Sequence, residues 1–178
     1  MHPTGLSLAQ IPGVSATNVV TFQGNSNGNT EIKGAGGQPG AVTFIGTRYV
    51  KIQNLRINAP TMSGVVLTDN AQFITLHNNT ILADTVGTLS TSCGILSTSN
   101  LASSFGYGNN ASSITITDNV IKGGYYGIRL NGNTTTSYSS GFEISNNQIL
   151  KSYYYGAYFY YINGLTTVSY THLRAHET

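Results

Sequence analysis

Charge is scarce in this chain. Eight Lys and Arg and six Asp and Glu make up 8% of the 178 residues, against about 25% in a typical globular domain. The formal net charge of +2 comes from a few groups of both signs, and there is no basic run. A nucleic-acid partner therefore has no electrostatic footprint to meet. Cysteine is limited to Cys93, which excludes an intrachain disulfide framework. No histidine lies near Cys93 in sequence, so a buried or turn thiol is expected there rather than a nucleophile. No run of about 18 apolar residues exists, so no membrane span is expected. The opening MHPTGLSLAQIPG has no basic segment followed by an apolar one and is not a signal peptide.

Asn, Thr, Ser, Gly and Tyr supply the polarity instead, with 21 Gly and 12 Tyr. That mixture suits strands separated by many turns. Hydrophobic residues at 39% exclude a disordered chain, and the length suffices for one domain with a sizeable core.

Two phrases recur. One is apolar, x, Asn or Asp, Asn or Leu, x, Ile: IQNLRI (52–57), LHNNTI (76–81), ITDNVI (116–121) and ISNNQI (144–149). The other is a glycine followed by alternating apolar residues: GAVTF (40–44), GVVLT (64–68), GILST (94–98), GIRLN (127–131) and GAYFY (156–160). The glycines are spaced 24, 30, 33 and 29 residues apart, and an Asn phrase falls between successive glycines. Each unit thus reads strand, turn, strand, Asn corner, short strand, turn, with extra residues in loops such as LASSFGYGNNASS (101–113).

Alternation within the strands predicts four inward columns. They are Val42, Val65, Ile95, Ile128 and Ala157; Phe44, Leu67, Ser97, Leu130 and Phe159; Ile52, Leu76, Ile116 and Ile144; and Ile57, Ile81, Ile121 and Ile149. Outward positions carry Thr43, Val66, Leu96, Arg129 and Tyr158. No unit buries its own face, whereas stacked units share a core. The expected fold is all-β: a right-handed parallel β-helix, a single-stranded solenoid of about five to six rungs. A β-sandwich would need antiparallel hairpins and leaves the recurring phrase unexplained. Asparagine tolerates the left-handed backbone of a sharp corner, and its amide both donates and accepts, so stacked copies can bond to one another. Asn79, Asn119 and Asn147 are expected to form that structural ladder, preceded by Asn54, Asn78, Asp118 and Asn146, and ending at Leu55.

The last eleven residues, VSYTHLRAHET (168–178), lack this alternation and hold two of the four histidines. They resemble the in-frame translation of a transposase adapter from short-read sequencing libraries. The expected division is therefore 1–15 as an irregular lead-in or incomplete first rung, 16–167 as the β-helix, and 168–178 as a non-native tail. His172, His176 and Glu177 are accordingly set aside as metal ligands. Truncation is expected at the C-terminus, and also at the N-terminus, where the pattern starts without a leader.

The stretches IPGVSATNVVTFQG (11–24), YVKIQNLRI (49–57), SITITDNVIKGGYYGIRLNGN (113–133) and GFEISNNQIL (141–150) resemble right-handed parallel β-helix repeat proteins. They are most similar to large secreted bacterial surface proteins whose β-helix precedes a C-terminal sorting tail for type IX export. The resemblance spans most of 11–165. It implies an extracellular or cell-surface location, on a fold that hosts adhesins and structural stalks. The same fold also carries polysaccharide lyases and glycoside hydrolases of the pectate-lyase-like type, so an enzyme whose catalytic residues lie in a missing part is the alternative.

Such enzymes use calcium-binding carboxylates with a basic residue, or paired carboxylates. Residues 1–167 contain only Glu31, Asp69, Asp84, Asp118 and Glu143, none adjacent and none in an Asp-x-Asp pair. GIRLNG (127–132) superficially resembles the basic phrase of β-helix hydrolases, but the accompanying acidic phrases are absent. Asp118 reads as a corner residue, Glu143 as a solvated strand position and His77 as a lone surface histidine. No catalytic residue, metal site or cofactor is expected.

The tyrosines are more informative. GGYYG (123–127) and SYYYG (152–156) occupy equivalent positions, so Tyr126 stacks on Tyr155 and Tyr125 on Tyr154. Tyr158 and Tyr160 point outward near Arg129. Tyr125, Tyr126, Tyr154, Tyr155, Tyr158, Tyr160 and Arg129 form the candidate glycan-binding set, since exposed aromatics offer a sugar an apolar face and a hydroxyl. The same pattern also fits stacking that merely stabilises the solenoid, or a contact surface for another protein.

Overall fold

The computed structural model describes residues 5–25, 29–34, 37–86, 88–134 and 136–173, with side chains as far as Thr167. Among these residues every regular element is a strand. Apart from the short parallel pair Ser139–Ser140 and Ile162–Asn163, the strands fall on three faces, and each unit of sequence contributes to all three. The first face holds Leu6–Leu8, Gly40–Ile45, Ser63–Thr68, Cys93–Ser97, Tyr126–Asn131 and Tyr155–Tyr160, side by side in that order. The second holds Val20–Gln23, Arg48–Gln53, Gln72–His77 and Ser112–Thr117. The third holds Glu31–Lys33, Arg56–Asn58, Thr80–Leu82 and Val120–Lys122. Glu143–Leu150 runs through the corner without a break and pairs with both of the last two faces. Every ladder between named strands is parallel, and no sheet closes into a barrel. The result is a solenoid-like stack.

Like residues lie over like. Val42 pairs with Val65, Val65 with Ile95, Ile95 with Ile128 and Ile128 with Ala157. Phe44, Leu67, Ser97, Leu130 and Phe159 follow the same register. On the second face the column is Phe22, Ile52, Leu76, Ile116 and Ile144. On the third it is Ile32, Ile57, Ile81, Ile121 and Ile149. These columns meet in one core, closed to solvent through the middle of the stack and half-buried at both ends, where Leu6, Leu8, Ala157 and Phe159 lie.

The recurring glycines have a packing cause. A Cβ built on Gly64 would lie 2.3 Å from Ile81 Cγ2, one on Gly94 2.3 Å from Ile121 Cγ2, and one on Gly127 2.3 Å from Ile149 Cγ2. Each third-face isoleucine thus presses its methyl against the bare backbone of the first face. At the first repeat the phrase is offset by one: Gly40 pairs with Ser63, so Ala41 rather than Gly40 precedes the aligned Val42.

The corners divide their work between two positions. Asn54, Asn78, Asp118 and Asn146 take the left-handed backbone, with φ of 57°, 51°, 59° and 54°. The residue after each turns inward. Asn79 donates through its backbone N–H and Nδ2 to Asn119 Oδ1 at 2.9 and 3.0 Å, and Asn119 donates in the same way to Asn147 Oδ1 at 3.0 Å. The ladder ends where Leu55 offers only its backbone N–H, to Asn79 Oδ1 at 3.1 Å. All three amides are buried.

The stack takes in Leu6–Leu8, which pairs with Gly40–Ile45 as an incomplete first rung within 1–15 would. At the other end the backbone of Thr166–Leu173 pairs in parallel with Glu143–Leu150, since an open parallel edge offers backbone groups to any chain that can lie extended beside it. His176 and Glu177 fall outside the described residues. Thr43, Val66, Leu96 and Arg129 face away from the core and yet are buried. Val66, Cys93, Leu96 and Tyr126 form a second apolar layer with Tyr125 and Tyr158 against it.

Candidate functional site

The corner entering the first face is made by Gly123 and Gly124, whose φ of 84° and 81° few other residues adopt. Tyr125 and Tyr126 follow directly. The next copy of this corner lies on top: Tyr153 donates its backbone N–H to Gly124 O and Tyr154 to Tyr125 O, both at 2.9 Å. Tyr126 therefore pairs in register with Tyr155, ring centroids 6.4 Å apart and 19° from parallel. Tyr125 meets Tyr154 at 5.4 Å.

Ring contacts then spread across the last two strands of the first face. Tyr154 and Tyr155 lie 4.2 Å apart, Tyr155 and Tyr158 6.0 Å, Tyr158 and Tyr160 6.5 Å, and Tyr160 meets Tyr107 at 5.3 Å. Tyr161 and Tyr138 extend the network at its far end. Among the tyrosines with described side chains, all but Tyr49 belong to it. Tyr107, Tyr138, Tyr153, Tyr154, Tyr155 and Tyr160 are all exposed. The phenol of Tyr155 is held above its ordinary pKa, first by its hydrogen bond with Tyr154. That of Tyr161 is raised to about 12, first by its hydrogen bond with Tyr160. These hydroxyls stay protonated at neutral pH and donate to the neighbouring phenols.

Two of the expected ligand residues are not at this surface. Tyr126 is 3% exposed and Arg129 0%. The segment 98–111 folds over them. Phe105 covers the Arg129 guanidinium, its ring centroid 3.9 Å from Cζ, and the Tyr126 and Tyr158 rings lie at 4.8 and 4.6 Å. Arg129 Nε donates to the Ser104 carbonyl. Sequence gave no sign of this roof, because the segment occurs once and so has no repeat to reveal where it lies. Tyr107 and Tyr153 were missed as surface rings for different reasons. Tyr107 lies in that unrepeated segment, and Tyr153 has glycine at the equivalent place in the preceding copy.

Segment 98–111 also forms one wall of a cleft of about 530 Å³. Tyr107, Leu101 and Ile45 give it apolar walls, and Asp69 and Asn109 supply polar groups. Tyr107 belongs both to this cleft and to the tyrosine network.

The acids do not converge. Glu31 pairs with Arg56 at 3.0 Å, Asp84 accepts from the Val86 backbone N–H, Asp69 lines the cleft and Glu143 is exposed on its strand. His77 corrects the sequence reading. It is not without a partner, since its Nδ1 lies 3.3 Å from Asp118 Oδ2 and 3.0 Å from Thr117 Oγ1. Stacking places these neighbours beside it from the adjacent strand. Among the described residues, no group of three or more His, Cys, Asp or Glu is placed to hold a metal ion, and no helix is long and apolar enough to cross a membrane.

No protein-family model, curated protein or solved structure matches the chain.

Cys93 is buried in the outer apolar layer. Burial pushes its thiol up to about 12, with a smaller lowering effect from the Tyr126 backbone and the Arg129 charge. A thiol nucleophile must ionise. The native protein at pH 8 is therefore expected to leave a thiol reagent such as 5,5′-dithiobis(2-nitrobenzoate) unreacted over minutes and to react fully in urea. Rapid native labelling would show that the outer layer opens.

Proposed function

We propose that the chain is part of a secreted or cell-surface right-handed parallel β-helix, of about five to six rungs, that binds carbohydrate or mediates adhesion through its outer aromatic face. The observation carrying this reading is the run of tyrosine rings from Tyr153 to Tyr107 at the cleft, exposed at Tyr153, Tyr154, Tyr155, Tyr160 and Tyr107 and joined through the half-buried Tyr125 and Tyr158. A sugar ring needs a flat apolar platform edged by hydrogen-bonding groups, and phenol rings supply both. The parallel stack sets successive platforms about 4.8 Å apart, a repeat that suits a polymer better than a small molecule. The low charge leaves sugar hydroxyls as the natural partners of this face.

Tyr154 and Tyr155 are the rings to change, because both are about half exposed, at 46%. Each stacked ring contributes about 1 kcal/mol. Replacing both with alanine should weaken retention on neutral polysaccharides in affinity electrophoresis about tenfold or more. The melting temperature should stay within a few degrees. Unchanged retention across the panel would remove the sugar reading and leave stacking as the tyrosines' role. The enzyme alternative is tested by incubating the protein with acidic polysaccharides and calcium. The binding reading expects no new reducing or unsaturated ends, and their appearance would favour a lyase or hydrolase.

A further inference from the structure

Seven buried side-chain polar atoms have no hydrogen-bond partner among the described residues, and five of them belong to one place. Arg129 Nη1 and Nη2 and Asn131 Oδ1 rise from the outer side of the first face, while Ser104 Oγ and Asn110 Oδ1 come from the segment that covers it. Buried polar groups are almost always paired, so such a concentration calls for a cause.

The charge makes the anomaly sharper. Among the described residues Arg129 is the largest fully buried side chain, and no carboxylate among them pairs with it. Three aromatic faces surround the guanidinium, which compensates a cation in part but offers its terminal N–H groups no oxygen. Buried charges are ordinarily matched by a counter-charge. The two free nitrogens of a guanidinium form a planar fork suited to two oxygens of one anion.

The cover is built to lift. Its ends are pinned to the stack: Thr98 donates its N–H to Leu67 O, Gly108 to Asn133 O, and Asn110 Nδ2 to Gly132 O. Its tip is tied to the face by hydrogen bonds that all end on one atom, the Ser104 carbonyl oxygen, which accepts from Arg129 Nε and Asn131 Nδ2. Phe105, which lies directly over the guanidinium, is itself 45% exposed and leaves little behind when it swings away.

We infer that residues 99–107 are a lid over an oxyanion site, in which Arg129 Nη1 and Nη2, beside Asn131, grip a carboxylate or sulfate group once the Ser104–Phe105 tip lifts. The inference rests on Arg129 and its cover, not on the tyrosine face, which can bind neutral sugars whether or not the lid opens. The oxyanion can be a free ion or a group carried on a polysaccharide.

Both sources are tested by equilibrium binding of sodium sulfate, and of dextran sulfate against neutral dextran, with chloride holding the ionic strength constant. Wild-type protein and Arg129→Met are compared, and hydrogen exchange is followed at residues 99–107. Saturable sulfate or dextran sulfate binding that weakens at least tenfold in Arg129→Met, with faster exchange at the tip when ligand is present, supports the site. Binding of the polymer alone assigns an anionic sugar, and binding of the inorganic ion alone a small-ion site. Arg129→Lys, which keeps the charge and loses the fork, should weaken binding as well and serves if the methionine variant misfolds. Equal binding by wild type and both variants, or no response beyond that of chloride, overturns the proposal. Neutral-polysaccharide retention of the Tyr154 and Tyr155 variants reports separately on the aromatic face.

Discussion

Replacing Asn119 with alanine is expected to destabilise the protein by about 2–4 kcal/mol, read as a lower urea midpoint at unchanged slope. The magnitude follows from what one amide does. Its Oδ1 accepts both the backbone N–H and the side-chain Nδ2 of Asn79, and its own Nδ2 donates to Leu76 O, Thr117 O and Asn147 Oδ1. Alanine leaves the buried Asn79 backbone N–H without its acceptor. A buried donor so stranded costs more than the net worth of one hydrogen bond. The corner position before it behaves differently. Asn78 is exposed, has φ of 51° and makes one outer amide bond, to Asn54 Oδ1 at 2.9 Å. Asn78→Gly, which keeps the left-handed backbone free of strain, should cost less than about 1 kcal/mol. Equal losses at the two positions would mean that the inner ladder does not hold the corners together.

Gly94→Ala is expected to be at least as damaging, at about 3 kcal/mol or more. The added methyl would sit 2.3 Å from Ile121 Cγ2 and 2.3 Å from the Gly127 carbonyl oxygen. One obstacle is a side chain and the other is backbone, which allows the two to be separated. Measured in an Ile121→Ala background, the cost of Gly94→Ala should shrink but not vanish, because the Gly127 carbonyl belongs to the adjacent paired strand and cannot retreat without breaking the ladder. Gly108→Ala supplies the contrast. Nothing lies within 4 Å of its built Cβ, so only the cost of its φ of 86° remains. If Gly94→Ala proved as mild as Gly108→Ala, the isoleucine-against-glycine packing between the third and first faces would not be present.

What the sequence made legible was whatever repeats. The four columns, the place of the Asn ladder and its end at Leu55 were visible because each position recurs in the next unit with the same chemistry. The role of the glycines was not. A recurring glycine is compatible with a turn as much as with close packing, and only the structure brings Ile81, Ile121 and Ile149 against the strands that hold them. The register at the first repeat was legible, because the columns set Val42 over Val65 and Phe44 over Leu67 even though the phrase there begins one residue earlier, at Gly40. The tyrosine stacking followed from repeat arithmetic, but the exposure of each ring did not. Arg129 reads as outward by alternation and is outward of the sheet, whereas Tyr126 shares the parity of the inward Ile128 and yet joins the outer layer. They are closed off by Ser104 and Phe105 from a segment with no counterpart in the other units, and alternation carries no information about what lies beyond a face.

Like positions stacked in parallel are what the fold, the ladder and the aromatic face all require, and cysteine pairs test this directly. Thr75 and Thr115 face outward, half-buried, on adjacent second-face strands and are partners in register. Strand spacing puts their Cα atoms about 4.8 Å apart, within the span a disulfide bridges. In a Cys93→Ser background, Thr75→Cys with Thr115→Cys should oxidise rapidly to an intramolecular disulfide in the native monomer. Thr75→Cys with Thr117→Cys, one outward position out of register, should not. Failure of the first pair, or preference for the second, would contradict the parallel register and the account built on it.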